Sequence, residues 1–432
     1  MRLSQYNSFF QIGEDTVVFN SLSQKYRIFR KAKINSVQRD LVDYRKRIAK
    51  SGIDSLTNIG ALTLMSQSEE QAVCDAIYYH GTSKGVLRLT LVTTMECNFD
   101  CIYCAQKHQN VFMNEKVYER VYQLILRNVR NFNVLKIVLF GGEPTLAFNC
   151  YEKFLQKVND LIKYYKKHMI GVMISNGYLL SETMLRKLYK LGITQFQITL
   201  DASPAFHDKM RILKNGQKTF EVIYNNLLHI CSLKELYRVS VVLLINTTYE
   251  MLQVTESWEP FFRVFRDDSR FSINVSVVED RGGSRISLLT DSLVTETNPL
   301  YAKAVEHFSN YLFWNDTIQA NAFVCESLGK MSYTIDWNGN IRACSQLTRD
   351  NVIGEIREGG RVHLTNPNIL FSVKNNKSCR GCSIEPLCHG KSCGYQLDCH
   401  KEELMQLIRL QLKRNIEFNS LSSENYYIDC VE

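Results

Sequence analysis

Cys97, Cys101 and Cys104 fall within TTMECNFDCIYCAQ, in the spacing Cys-x3-Cys-x2-Cys. Thiolates this close in a chain are ligands for soft metals and iron–sulfur clusters. Three thiolates on a four-iron cluster leave one iron without a protein ligand. A small molecule carrying an amino and a carboxylate group can chelate that iron and bring its own reactive group to the cluster. Spacings of four and three also suit one face of a helix. Asn98 and Asp100 between the cysteines, and the strand-like run before them, favour a loop.

A second set lies towards the C-terminus: Cys325, Cys344, Cys379, Cys382, Cys388, Cys393 and Cys399. Cys-x2-Cys followed by further cysteines suits tetrahedral zinc as well as clusters. Cys74, Cys150 and Cys231 fit no spacing and read as buried thiols. Cys430 competes with Cys399 as the last member of the set.

The elements that must position the first set are legible as buried runs. VLRLTLVTT at 86–94 ends just before Cys97. KIVLFGG (136–142), IGVMISNG (170–177), FQITLDAS (196–203), RVSVVLLIN (238–246) and FSINVSVV (271–278) follow. Stretches with helical periodicity separate them, such as 117–129 and 151–165. Strands alternating with helices argue for a parallel sheet. Six units are too few for a closed eight-stranded barrel, so the expectation is an α/β fold built on a partial (β/α)6 TIM-like barrel, with reactive groups at the C-terminal strand ends.

Residues 1–83 read as a separate small module. A hairpin is expected over 7–20 around Gly13-Glu14-Asp15, a helix over 34–50, and another helix starting at Ser68. Together they suggest a winged-helix-like unit. The barrel is expected over 84–296. Residues 297–432 would hold a bridging helix at 302–313, a hairpin at 331–345 around Asn338-Gly339, the cysteine-dense stretch from 379 to 399, and an amphipathic helix at 400–418.

CNFDCIYC resembles the signature of the radical S-adenosylmethionine (SAM) superfamily, and further segments are similar to that family in the same order. FGGEP (140–144) resembles the segment whose backbone and glutamate hold the methionine amino group, which implies Gly141, Gly142 and Glu143. ISNG (174–177) implies Ser175 as a SAM contact. TLDASPAFHDKMR (199–211) resembles an L-D-G…H-D-x-x-R segment whose arginine, here Arg211, reaches the SAM carboxylate. Ala202 stands where glycine is usual. Asn246 matches a polar position late in the fifth strand, and Tyr103 is expected beside the adenine.

The second cysteine set is similar to the SPASM extension of radical SAM enzymes that modify peptides and proteins. The resemblance implies two auxiliary [4Fe–4S] clusters, three clusters in all. Cys379, Cys382, Cys388 and Cys399 would hold the outer one, and Cys325, Cys344 and Cys393 the inner. The sequence departs from the family in having four residues rather than three between Cys388 and Cys393.

By the same resemblance the substrate is a peptide. SAM would be cleaved to a radical that removes a hydrogen atom from a ribosomally made precursor, and a thioether, C–C or ether cross-link would form. A flavodoxin- or ferredoxin-type partner would supply the electron. Alternatives are an anaerobic sulfatase-maturating enzyme, a peptide epimerase, or an iron–sulfur electron-transfer protein without turnover. Ninety-six residues precede Cys97, whereas sulfatase maturases carry the signature close to the N-terminus, which favours the peptide maturase. The N-terminal module would bind the precursor's leader by strand addition. Glu279 and Asp280, at the end of the sixth strand, are candidates for the base, or else a solvated acidic pair.

The formal charge of +8 reads as a mixed solvated surface, and iron-bound thiolates would lower it, so no nucleic-acid partner is expected. No apolar run is long enough to span a bilayer, and no secretion signal opens the chain. A cytoplasmic location with no membrane partner is expected. In that setting fourteen cysteines suit metal sites better than disulfides.

Overall fold

The hairpin over 7–20 forms and acquires a third strand. In the computed structural model β1 (Asn7–Ile12), β2 (Asp15–Asn20) and β3 (Lys25–Phe29) make an antiparallel sheet in that order. Gly13 turns the chain between the first two at a φ of 60°, which costs a glycine little. Alternation gives the sheet two apolar faces. Phe10, Val17, Phe19, Tyr26 and Ile28 are buried on one side, and Val18 and Phe29 on the other.

Two helices cover the second face, α1 (Ile34–Val42) and α2 (Lys50–Asn58). They contribute Val37, Leu41 and Leu56 to its core. The helix expected over 34–50 is therefore interrupted. α1 ends at Val42, which is 78% exposed, and Ile48 returns to the core from an extended residue.

The structure describes residues 1–64, 68–69, 85–280, 283, 285–294, 298–309, 331–345, 351–365, 381–388, 401–419 and 428. All six expected barrel strands are present: β4 (Gly85–Thr94), β5 (Phe132–Gly141), β6 (His168–Ser175), β7 (Ile193–Thr199), β8 (Ser240–Thr247) and β9 (Phe271–Val277). They pair in parallel and in chain order. This is the partial TIM-like sheet that the buried runs predict.

The connecting helices are α3 (Glu115–Asn128), α4 (Phe148–Tyr164), α5 (Glu182–Lys190), α6 (Pro204–Met210) and α7 (Phe220–Ser232). Asn114 and Ser181 cap the first turns of α3 and α5 through their side chains, each worth about 1 kcal/mol. α8 (Pro299–Ser309) lays Phe308 on Trp258, with ring centroids 5.6 Å apart.

Beyond β4 the sheet continues into a meander: β10 (Ser332–Ile335), β11 (Asn340–Arg342), β12 (Val352–Arg357) and β13 (Arg361–Leu364). β10 runs parallel to β4, with Ser332 opposite Arg88 and Ile335 opposite Leu91. Gly339, at φ 87°, completes the β10–β11 turn, and the buried Asp336 accepts from Asn338 N, Asn340 N and Arg342 Nε.

α9 (Lys401–Asn419) supplies Leu404, Ile408 and Leu412 to the first face of the N-terminal sheet, beside Ile384 and Leu387. The described residues of 1–82 therefore share one compact unit with those of 371–432, and those of 83–313 share another with those of 329–370. This differs from three consecutive segments at 1–83, 84–296 and 297–432. Among the described residues the first face of the N-terminal sheet is covered by α9 with Ile384 and Leu387, and β10–β13 continue the barrel sheet instead. Among the described residues no helix is long and apolar enough to cross a membrane.

Candidate functional site

The three cysteines lie on the connection that follows β4. It is a loop, not a helix face. The returning chain is pinned to the strand end: Met95 N donates to Val111 O at 3.2 Å and Met113 N to Thr93 O at 2.8 Å. The middle of the loop is tied to the end of α6 and the residues that follow it. Asp100 N donates to Ile212 O at 2.8 Å and Ile102 N to Met210 O at 2.9 Å, and Phe99 bridges to Leu213. Those bonds bring Arg211 against the cysteines. Gly283 presses on the loop from a third side, where a Cβ would stand 2.5 Å from Cys104 O.

Cys97 is buried and Cys101 and Cys104 are half-buried. Burial pushes the Cys97 and Cys101 thiols up to about 12 and raises Cys104 as well. Such thiols become ligands by losing their protons to a metal centre. Among the described residues no three His, Cys, Asp or Glu side chains converge tightly enough to hold a single ion. A four-iron cluster asks less, because each thiolate binds a different iron.

Gly141 and Gly142, at the end of β5, allow two strand ends to touch. A Cβ on Gly141 would lie 2.0 Å from Thr94 O and one on Gly142 2.2 Å from Glu96 O. Gly142 N and Glu143 N instead donate to those same oxygens at 2.9 and 2.8 Å. The two glycines thus let the end of β5 lie against the backbone that leads into the cysteine loop.

Glu143 is fully buried. Its Oε1 accepts from Thr145 N at 3.0 Å, Thr145 Oγ1 at 2.6 Å and Ser175 Oγ at 2.9 Å, and its Oε2 accepts from Asn176 N at 2.7 Å. Burial raises its carboxyl, and these four bonds oppose the rise. Ser175 also accepts from Gly177 N at 3.0 Å. The structure thus gives Glu143 and Ser175 to each other and to the ends of β5 and β6.

The buried Asp201 and Arg211 and the half-buried Tyr103 and Asn246 form one polar network. The Tyr103 hydroxyl donates to Asp201 Oδ2 and accepts from Arg211 Nη1 at 2.8 Å and Asn246 Nδ2 at 3.1 Å. Asp201 Oδ1 accepts from Asn246 N at 2.9 Å. The guanidinium also lies 5.5 Å from the Phe99 ring. Burial works against the Arg211 charge; Tyr103, Cys101 and Asp201 hold it on. Its Nε is buried with no hydrogen-bond partner. A buried charged donor without an acceptor is costly, and a carboxylate beside it would supply one.

Asp201, His207 and Thr219 went unselected in the sequence, although the first two belong to the segment that marked Arg211. Asp201 N donates to His207 Nδ1 at 3.1 Å, His207 Nε2 pairs with Thr219 Oγ1 at 3.1 Å, and Thr219 Oγ1 donates to Arg211 O at 2.5 Å. The imidazole is buried and stays neutral, with its value well below the usual one. The chain of bonds fixes the backbone of Arg211. Ala202, the position where glycine is usual, has φ 43°.

Of the remaining sequence candidates, Glu279 and Asp280 follow β9 and are exposed. Cys344 and Cys382 are half-buried, and Asn351 Nδ2 donates to Cys344 Sγ at 3.3 Å. Cys325, Cys379, Cys393, Cys399 and Cys430, and the side chain of Cys388, lie outside the described residues.

The family model of the radical SAM superfamily matches residues 91–255. An uncharacterized protein of Methanocaldococcus jannaschii is 33% identical over 134 residues, covering 31% of this chain and 44% of that protein. A cysteine-type anaerobic sulfatase-maturating enzyme of Clostridium novyi is 24% identical over 346 residues, 71% of this chain and 87% of that enzyme. The solved structure of native anSMEcpe with AdoMet and the Cp18Cys peptide bound is similar in fold, with a TM-score of 0.58 and 16% identity over 78% of this chain and 99% of that one. The chain spans 44%, 29% and 31% of the length of three curated relatives that it matches. Within residues 91–255, the stretch that holds Cys97, Cys101, Cys104 and Arg211, this chain carries a radical SAM domain.

Proposed function

We propose that this chain is a radical SAM enzyme that modifies a peptide. Cys97, Cys101 and Cys104 would hold a [4Fe–4S] cluster, and SAM would bind across the strand ends between that loop and Arg211. The observation that carries this reading is the unpartnered, buried Nε of Arg211 on a backbone segment hydrogen-bonded to the cysteine loop. When bound, the cluster supplies an electron and SAM the carbon radical that removes a hydrogen atom from substrate.

The chain's own residues orient and exclude. Gly141 and Gly142 let the end of β5 lie against Thr94 and Glu96, where the cysteine loop begins. Glu143 locks Ser175 and Asn176 at the next strand end. Tyr103 and Asp201 keep Arg211 charged and aimed, with Asn246 completing the network. Most of these groups are buried, which keeps water from a reactive intermediate.

The peptide reading has separate support. The sulfatase-maturating relative aligns with most of this chain, and 78% of this chain is covered by the anSMEcpe structure against 99% of that one, so this chain carries a share with no counterpart there. The N-terminal sheet supplies a strand edge. Ile428 N already donates to Ile28 O on β3 at 2.9 Å, while β1 pairs only with β2 among the described strands. We assign leader binding to this module and cross-linking of a precursor peptide to the barrel. The auxiliary clusters at the C-terminal cysteines and a flavodoxin- or ferredoxin-type reductant belong to the same proposal. The Clostridium novyi relative favours a second reading, oxidation of a cysteine in a sulfatase.

The test is anaerobic incubation of the reconstituted full chain with reductant, SAM and a co-expressed short peptide. Formation of 5′-deoxyadenosine and a peptide lighter by two hydrogens supports the cross-linking reading. Conversion of a sulfatase cysteine to an aldehyde supports the second. No 5′-deoxyadenosine with either substrate overturns both.

A further inference from the structure

His108 sits four residues beyond Cys104, and its Nε2 lies 3.6 Å from Cys104 Sγ. It is half-buried and stands on a held segment. The next residue, Gln109, donates its N–H to Met95 O at 3.2 Å, and Gly283 backs the loop at Cys104. A thiolate bound to iron has only lone pairs to offer, so an imidazole at this distance interacts favourably only as donor, with its proton on Nε2.

The other thiols have different company. Cys97 Sγ accepts from Phe99 N at 3.4 Å and faces Asn176 Nδ2 at 3.9 Å, and Cys101 lies within the field of Arg211. Cys104 has a backbone hydrogen bond at Gln106 and, in addition, the His108 imidazole within reach of its Sγ.

We propose that His108 is a positioning residue for the cluster: it donates an N–H···S hydrogen bond to the Cys104 thiolate and so raises the cluster's reduction potential. Hydrogen bonds to cluster sulfurs stabilise the more negative, reduced state. The imidazole thereby eases the one-electron reduction on which SAM cleavage depends. This rests on the cluster reading given above, and the experiment separates the two.

The full chain is reconstituted anaerobically as wild type, His108→Leu and His108→Gln, and the cluster that changes its electron paramagnetic resonance on SAM addition is titrated against potential. His108→Leu shifts that midpoint to a more negative value at equal iron content, and His108→Gln, which keeps an N–H at similar reach, stays near the wild type. An unshifted midpoint in a fully loaded His108→Leu overturns the inference and leaves the cluster reading standing. A wild type that binds no cluster overturns both. Should His108→Leu load poorly, the wild type labelled with 15N-histidine decides: a hyperfine coupling from a histidine nitrogen to the reduced cluster is expected, and its absence overturns the proposal.

Discussion

The Arg211 guanidinium donates to the Tyr103 hydroxyl at 2.8 Å although 108 residues separate them in the chain. The same hydroxyl donates to Asp201, so a buried cation and a buried anion share one phenol. Removing one partner of such a set leaves the rest uncompensated. Asp201→Asn strands the charge of Arg211 and should cost about 3–5 kcal/mol. Tyr103→Phe strands hydrogen-bonding groups but no charge and should cost about 1–3 kcal/mol. Urea unfolding of both variants checks the order. A larger loss for Tyr103→Phe would mean that the hydroxyl, not the attraction between the two charges, holds the site.

The free Nε of Arg211 predicts a direct effect on cofactor affinity. Arg211→Lys keeps the charge and loses the planar fork. A hydrogen bond to a charged group contributes about 1.5–3 kcal/mol, so the SAM dissociation constant should rise by roughly tenfold or more. Equilibrium dialysis at matched iron content measures it. An unchanged constant would remove Arg211 from the SAM site.

How much of this was legible beforehand follows the range of the interactions. VLRLTLVTT and FSINVSVV announce buried parallel strands because their neighbours need only be other apolar runs. The two glycines at 141 and 142 were legible because close backbone approach has one residue type that permits it. The His207–Thr219–Arg211 chain was not, since its bonds join a helix, a loop and a strand end with no periodicity. Nor was the pairing of β10 with β4, which joins residues 332–335 to 88–91. The break of α1 at Val42 was hidden by spacing: Leu41 and Val42 look equally apolar, and only Leu41 turns inward.

Gly142 tests the contact between the end of β5 and the start of the cysteine loop. Gly142→Ala places a methyl 2.2 Å from Glu96 O, and the obstruction is backbone that cannot swing aside. Either β5 withdraws from β4 or the Glu143 N to Glu96 O bond breaks. We expect a loss of more than about 2 kcal/mol and weak SAM binding in the folded fraction. A variant with wild-type stability and affinity would show that the strand ends separate freely.

Ala202 is buried and held at φ 43°, where an L-residue carries a steric penalty of about 1–2 kcal/mol. Ala202→Gly relieves that strain but deletes a buried methyl, about 0.8 kcal/mol, and loosens the unfolded chain. The terms offset, so its stability should stay within about 1 kcal/mol of the wild type. Ala202→Val puts a β-branched residue in the same region and overpacks the core, at a cost of about 2 kcal/mol or more. Equal stability of the two variants in urea would refute a left-handed backbone at 202.

Asp268 governs part of the acid limb of stability. Arg270 donates to its Oδ1 at 2.9 Å and Oδ2 at 2.7 Å, and also caps α7 by donating to Ile230 O and Leu233 O. Burial works to raise the Asp268 carboxyl, but the bonds from Arg270 and Lys234 outweigh it and hold it well below its ordinary 3.8. A carboxyl lowered in the folded state stabilises the protein above its unfolded value, and the benefit is lost as pH falls towards the folded one. Lys234 is largely exposed, so most of the effect belongs to Arg270. Asp268→Asn should therefore cost about 3 kcal/mol at neutral pH and progressively less once the pH drops below 3.8. Urea midpoints of wild type and variant, measured at neutral pH and again in acid, give the two differences. A gap that stays constant between them would assign the loss to the shape of the side chain rather than to its charge.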